Sequence, residues 1–216
     1  KDYQKTKKAL SSSGFKKQKS ELFGKTVKKP TQITFVKDTP QFPTVVDIHL
    51  EPAIGFTRKR KLNDLLCDFS SYSEYLFGNT ANVKINGVNF PILNSQALAT
   101  YLILHYFHHN LQGAHRAHLL FDLFEKEKVS WKRLINIFRK YRLENQAFLS
   151  LASLKVHFGL KTTLKIKPSH LFLARLIGPF GEDGRYAEGI KRLFLVFVSS
   201  PKPLYQKVLA LIKGVY

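Results

Sequence analysis

Apolar positions are sparse and unpatterned over residues 1–40, then fall into regular spacings along the rest of the chain. Residues 45–50 (Val-Val-Asp-Ile-His-Leu), closed off by Pro52 and Gly55, read as a strand. Residues 61–77 carry Leu62, Leu65, Leu66, Phe69, Tyr72 and Leu76 at helical spacing, with Gly78 as the stop. Over residues 82–89, Val83 and Ile85 alternate, and Val88 follows the Asn86-Gly87 pair, which predicts a strand entering a tight turn.

From Leu93 to about Ser150 the pattern becomes helical. Asn94 or Ser95 can cap a helix with Ala97, Leu98, Tyr101, Leu102 and His105 on one face. Gly113 breaks it, and residues 115–128 continue with Leu119, Leu120, Leu123 and Phe124. Ser130 caps a third helix that turns Trp131, Leu134, Ile135, Phe138 and Tyr141 inward. In the last third, residues 160–167 alternate as a half-exposed strand with lysines on one side, and residues 169–177 predict a short helix. Residues 192–199 read as a hydrophobic strand, and 204–213 as a closing helix ended by Gly214. The fold class this predicts is α+β, an antiparallel or mixed sheet with helices packed on one face. The expected organisation is a basic extended arm over 1–40, a core split between 41–92 and 151–216, and a helical insertion over 93–150.

Charge changes the picture most. In 216 residues there are 35 Lys+Arg against 15 Asp+Glu, a formal +20, which reads as a surface facing a polyanion. Residues 1–40 alone hold 11 Lys against Asp2, Glu21 and Asp38. This segment reads either as a solubilising tail or as an arm that orders against folded RNA. Cys67 is the single cysteine, so an internal disulfide and a Cys-based zinc knuckle are excluded. No apolar run approaches the roughly 18 residues of a membrane span. A chain that starts at Lys1 and has no Met reads as processed or trimmed.

Catalytic signatures are missing from the pattern. There is no phosphate-cradling Gly-rich loop followed by Lys-Ser/Thr, no Gly-x-Ser-x-Gly elbow and no carboxylate pair in an apolar setting. His105 and His109 stand at i,i+4, and His115 and His118 at i,i+3, a spacing that permits zinc without supplying the remaining ligands. The sequence is therefore expected to have no catalytic residues, no metal and no cofactor.

The C-terminal third carries Gly184-Arg185-Tyr186-Ala187-Glu188-Gly189-Ile190-Lys191, then the apolar stretch 193–198 and a last helix ending Leu211-Ile212-Lys213-Gly214. In this it resembles the universal large-subunit ribosomal protein L-five family, whose Gly-Arg-x-x-Tyr-x-x-Gly-Ile-Lys motif is two residues longer. Residues 159–165 and 171–177 are similar to that family's central strand and helix. Residues 43–55, 62–76 and 78–84 are similar to its first strand, its following helix and the entry to its RNA-facing segment. The helical block from 93 to 150 has no counterpart, and the stretch between Ile177 and Gly184 is shorter.

The resemblance implies a non-catalytic structural protein at the central protuberance of a large ribosomal subunit, in a divergent mitochondrial ribosome, with a plastid or bacterial one as alternatives. Its implied partners are large-subunit rRNA, 5S rRNA where present, neighbouring ribosomal proteins and a bridge to the small-subunit head. The other reading is a free RNA-binding or RNA-processing factor of an organelle. RNA contacts are expected at Lys16, Lys17, Lys28, Lys29, Arg58, Lys59, Arg60, Lys84, Lys132, Arg133, Arg139, Lys140, Arg142, Lys161, Lys165, Arg185 and Lys191. Arg185, Tyr186 and Lys191 admit a purely structural reading as well, with the tyrosine ring as a core anchor.

Overall fold

The computed structural model describes residues 2–18, 21–22, 25–26, 32–49, 69–178 and 185–215. The chain divides into two compact units, Lys1–Ala53 and Ile54–Tyr216.

In the first unit, α1 (Asp2–Ser12) leads through a turn at Gly14 into β1 (Lys16–Lys17). Two short strands, β2 (Glu21–Leu22) and β3 (Lys25–Thr26), pair with each other. β4 (Gln32–Lys37) and β5 (Thr44–His49) form the main ladder, in a three-stranded antiparallel sheet of order β1-β4-β5. Alternation along β4 buries Ile33 and Phe35 on one face and leaves Thr34 and Val36 on the other. The strand expected at 45–50 is present as β5. The expectation that residues 1–40 lack regular elements is corrected: α1, β1 and β4 lie there. Their apolar residues are few, but Ile33 and Phe35 are placed on one side of a strand, which suffices to bury them.

The second unit begins its described part with α2 (Phe69–Gly78), which covers the end of the helix expected over 61–77; residues 61–68 lie outside the described residues. β6 (Thr80–Ile85) and β7 (Val88–Leu93) follow as a hairpin. Its two-residue turn has φ of 48° at Asn86 and 84° at Gly87, the left-handed pair that an Asn-Gly turn supplies. All of β6, and β7 as far as Ile92, is exposed, including Val83, Ile85, Val88, Phe90 and Ile92.

Seven helices follow among the described residues: α3 (Ser95–His108), α4 (Ala114–Lys126), α5 (Trp131–Lys140), α6 (Glu144–Phe158), α7 (Pro168–Ile177), α8 (Arg185–Ser199) and α9 (Leu204–Val215). Asn94 caps α3, its side-chain oxygen accepting from the Ala97 N–H at 2.9 Å, and the Ser130 hydroxyl accepts from the Arg133 N–H at the start of α5. Tyr72, Ile103, Leu104, Tyr106, Phe107, Leu120, Leu134, Phe138, Leu149 and Leu151 meet in one core.

Helix α6 has no one-sided pattern because eight consecutive-turn positions, from Gln146 and Ala147 to Ser153 and Leu154, are buried around its circumference. A helix buried on all sides gives no amphipathic period, so it escapes a reading based on stripes. Gly159 ends it in the left-handed region at φ 73°.

Three expectations fail here. Residues 160–167 form no strand: Leu160, Leu164 and Ile166 pack on the core while the intervening lysines are exposed, so the alternation is real but has no neighbouring strand. Residues 192–199 belong to α8, a continuous apolar run being compatible with either element; Leu195 and Val196 are buried. Helix α9 continues through Gly214. With nine helices and three small antiparallel sheets among the described residues, the chain is α+β. The L-five-like sheet is not found among them, since the two segments expected to supply its central and last strands are irregular and helical.

Candidate functional site

The polar face of the β1-β4-β5 sheet brings together the most varied chemistry in the first unit. In the ladder Thr34 faces Asp47 and Gln32 faces His49, so Asp47 and His49, two apart on β5, project to the same side. Lys16 pairs with Val36, and the Gln18 N–H donates to the Thr34 carbonyl, which carries the same face onto β1. The Thr34 hydroxyl donates to Asp47 Oδ1 at 2.5 Å, fixing one carboxylate oxygen of a residue that is itself exposed. His49 is half-buried. Burial lowers its pKa, against the opposing pull of Asp47, so its imidazole is neutral at pH 7. Its Nδ1 is shielded from solvent and has no hydrogen-bond partner among the described residues.

The sequence reading registered Asp47 and His49 only as strand residues. The available signal was a carboxylate and an imidazole at i,i+2, the spacing that puts both on one side of a strand.

The expected phosphate-contacting residues are scattered. Lys16 and Lys17 are exposed on β1, and Lys84 is exposed on the hairpin. Lys132, Arg133, Arg139 and Lys140 occupy the outward side of α5, and Arg142 follows at a positive φ of 56°. Lys161 and Lys165 are exposed in the irregular stretch before α7, and Lys191 is half-buried on α8. Arg185 opens α8. Lys28, Lys29, Arg58, Lys59, Arg60 and Gly184 lie outside the described residues. Among the residues placed, Arg139 and Lys165 are brought to a common cavity.

The histidines at the end of α3 and its C-cap gather by their rings, His105 to His109 at 4.5 Å and His108 to His109 at 5.0 Å between centroids, with Tyr101 stacked on His105. Among the described residues, no group of three or more His, Cys, Asp or Glu side chains is placed to hold a metal ion. Nor, among them, is any helix long and apolar enough to cross a membrane.

Residues 1–159 match a protein family described as uncharacterised nucleotidyltransferase. The match takes in the whole first unit and the second through the end of α6. The chain belongs to this family. No curated protein and no solved structure matches it significantly.

Membership overturns the ribosomal reading on each point it touched: the L-five family, the non-catalytic role at the central protuberance, and the rRNA and ribosomal-protein partners. What the family points to is an enzyme that works on nucleotides. The stretch Gly184–Lys191, which leads the resemblance, lies beyond the family match, and an excess of Lys and Arg does not by itself distinguish a polynucleotide from a nucleoside triphosphate.

Proposed function

We propose that this chain takes part in nucleotidyl transfer from a nucleoside triphosphate, with the polar face of the β1-β4-β5 sheet at the reacting phosphates. The observation that carries the reading is Asp47, held by Thr34 beside a neutral His49 on a sheet that lies wholly inside the family match.

In this chemistry an acceptor hydroxyl oxygen attacks the α-phosphorus. The bond between that phosphorus and the oxygen bridging to the β-phosphate breaks, and pyrophosphate leaves while the acceptor gives up its proton. Neutral His49 can accept that proton, and the imidazolium formed would be stabilised by the Asp47 carboxylate. Lys16 lies on the same face and meets the charge of the triphosphate.

Nucleotide transfer commonly draws on magnesium, which favours oxygen donors and often binds through one or two carboxylates together with substrate phosphates. Asp47, an exposed oxygen donor, fits that mode and is the residue that would hold such an ion; His49 is a poor match for it. Bound there, the ion would offset the negative charge of the phosphates.

The test is to incubate the full chain with α-labelled nucleoside triphosphates and magnesium, following pyrophosphate release and labelled product. Asp47→Asn should reduce turnover by about 100-fold or more while the unfolding transition stays in place. Undiminished turnover in Asp47→Asn, or no turnover by the unaltered chain, would overturn the assignment.

A further inference from the structure

The polar cavity that brings Arg139 and Lys165 together is lined by residues of the helical unit alone. It has a volume of about 240 Å³ and is bounded by Arg139, Glu144, Asn145, Phe148, Lys165, Lys167 and His170. Arg139 comes from the end of α5, Glu144, Asn145 and Phe148 from the first turns of α6, and His170 from the first turn of α7. Lys165 and Lys167 come from the irregular segment leading into α7.

Three features of this cavity favour an anion. First, both α6 and α7 begin at its wall, and neither has a side-chain cap: Leu143 precedes α6 and Lys167 precedes α7. The positive ends of two helices, of fifteen and ten residues, therefore meet there. Second, the side chains supply three fixed cations, Arg139, Lys165 and Lys167, against one carboxylate, Glu144. That carboxylate is engaged by Arg139, whose Nε donates to its Oε1 at 3.0 Å.

The third feature is His170. It lines the cavity, only 8% of the residue is exposed, and Phe148 lies against its ring with centroids 5.8 Å apart. Its Nδ1 is cut off from solvent and has no hydrogen-bond partner among the described residues. Leaving such a polar atom unsatisfied costs about 1–3 kcal/mol. Its pKa is lowered, first by burial and then by the nearby Lys167, which keeps the ring neutral and able to donate one N–H.

We propose that this cavity is a binding site for a phosphate group, taken up between the starts of α6 and α7 by Lys165, Lys167, Arg139 and His170. Rotation of the His170 ring would bring its unpartnered Nδ1 to a phosphate oxygen, which would become the hydrogen-bond partner it lacks. None of its lining residues belongs to the sheet that carries Asp47. Three of its lining residues, Lys165, Lys167 and His170, lie beyond the family match.

The test is calorimetric titration of the full chain with inorganic phosphate and, separately, with pyrophosphate at fixed ionic strength. Lys165→Ala/Lys167→Ala removes two exposed cations and should weaken binding by about tenfold or more. The control pair Lys132→Ala/Arg133→Ala, on exposed positions of α5, removes the same charge and should change it by less than about twofold. Saturable binding by either anion that follows this contrast supports the site. Equal weakening in the two pairs, or no saturable binding by the unaltered chain, overturns it. The contrast between the two pairs is read on anion binding alone, so the outcome is independent of the transfer assay.

Discussion

Tyr106 of α3 and Ser153 of α6 share a hydrogen bond of 3.1 Å at a point where neither side chain meets solvent. It joins two helices that are otherwise held by apolar packing and fixes their rotation relative to each other. Tyr106→Phe keeps the ring and removes the partner of Ser153, so stability should fall by about 1–3 kcal/mol. Urea unfolding of Tyr106→Phe, Ser153→Ala and the double variant measures this. A coupling energy indistinguishable from zero would show that the two hydroxyls do not act together.

Two glycines separate backbone strain from packing. Gly159 ends α6 at φ 73° with open space where a Cβ would stand, and Gly78 ends α2 with open space and no positive φ. Gly159→Ala should therefore cost about 1–2 kcal/mol through conformation alone. Gly78→Ala should be neutral or stabilising by up to about 1 kcal/mol. In thermal melts the midpoint of Gly159→Ala should fall and that of Gly78→Ala should hold or rise.

Acidification should weaken both units through histidines that burial keeps neutral. His49 and His170 have pKa values lowered below the ordinary 6.5, so the unfolded chain binds their protons more readily than the folded one. Their contribution is complete above about pH 6.5 and is lost as pH falls through the lowered folded values. The urea midpoint should accordingly drop between about pH 7.5 and about pH 5.5, and His170→Gln should make that drop smaller. An unchanged slope with pH in His170→Gln would remove this residue from the account.

Thr34 offers a graded test of the sheet face. Thr34→Val preserves the β-branched shape suited to β4 and removes only the donor to Asp47. Turnover of nucleoside triphosphate should fall by about tenfold, less than in Asp47→Asn, since the carboxylate stays but is no longer oriented. A Thr34→Val chain as inactive as Asp47→Asn would mean that the hydroxyl itself contacts the substrate.

Much of the helical unit was legible because its surface helices bury one stripe each. Asn94 and Ser130 mark the starts of α3 and α5, and Leu134, Ile135 and Phe138 mark the inward side of α5. Helix α6 was not legible, being buried all round, and α8 was misread because its run of apolar residues has no period of its own. At 160–167 the alternation was read correctly, but no sequence pattern reports whether a partner strand lies alongside. The candidate site was hidden for a different reason. Asp47 and His49 acquire meaning only when the β4–β5 register sets Thr34 opposite the carboxylate, and 35 basic residues drew the reading toward charge instead.

The β6–β7 hairpin has both faces open along nearly its whole length, so its strands are held mainly by their own ladder. A two-stranded ribbon without a covering layer is marginal in water. It should open on its own, at a small fraction of the free energy needed to unfold the helices beside it. Its amides would then exchange with deuterium long before those of α3 and α6. A protease should nick the chain near Asn86-Gly87 first, leaving the buried helical core resistant to further digestion.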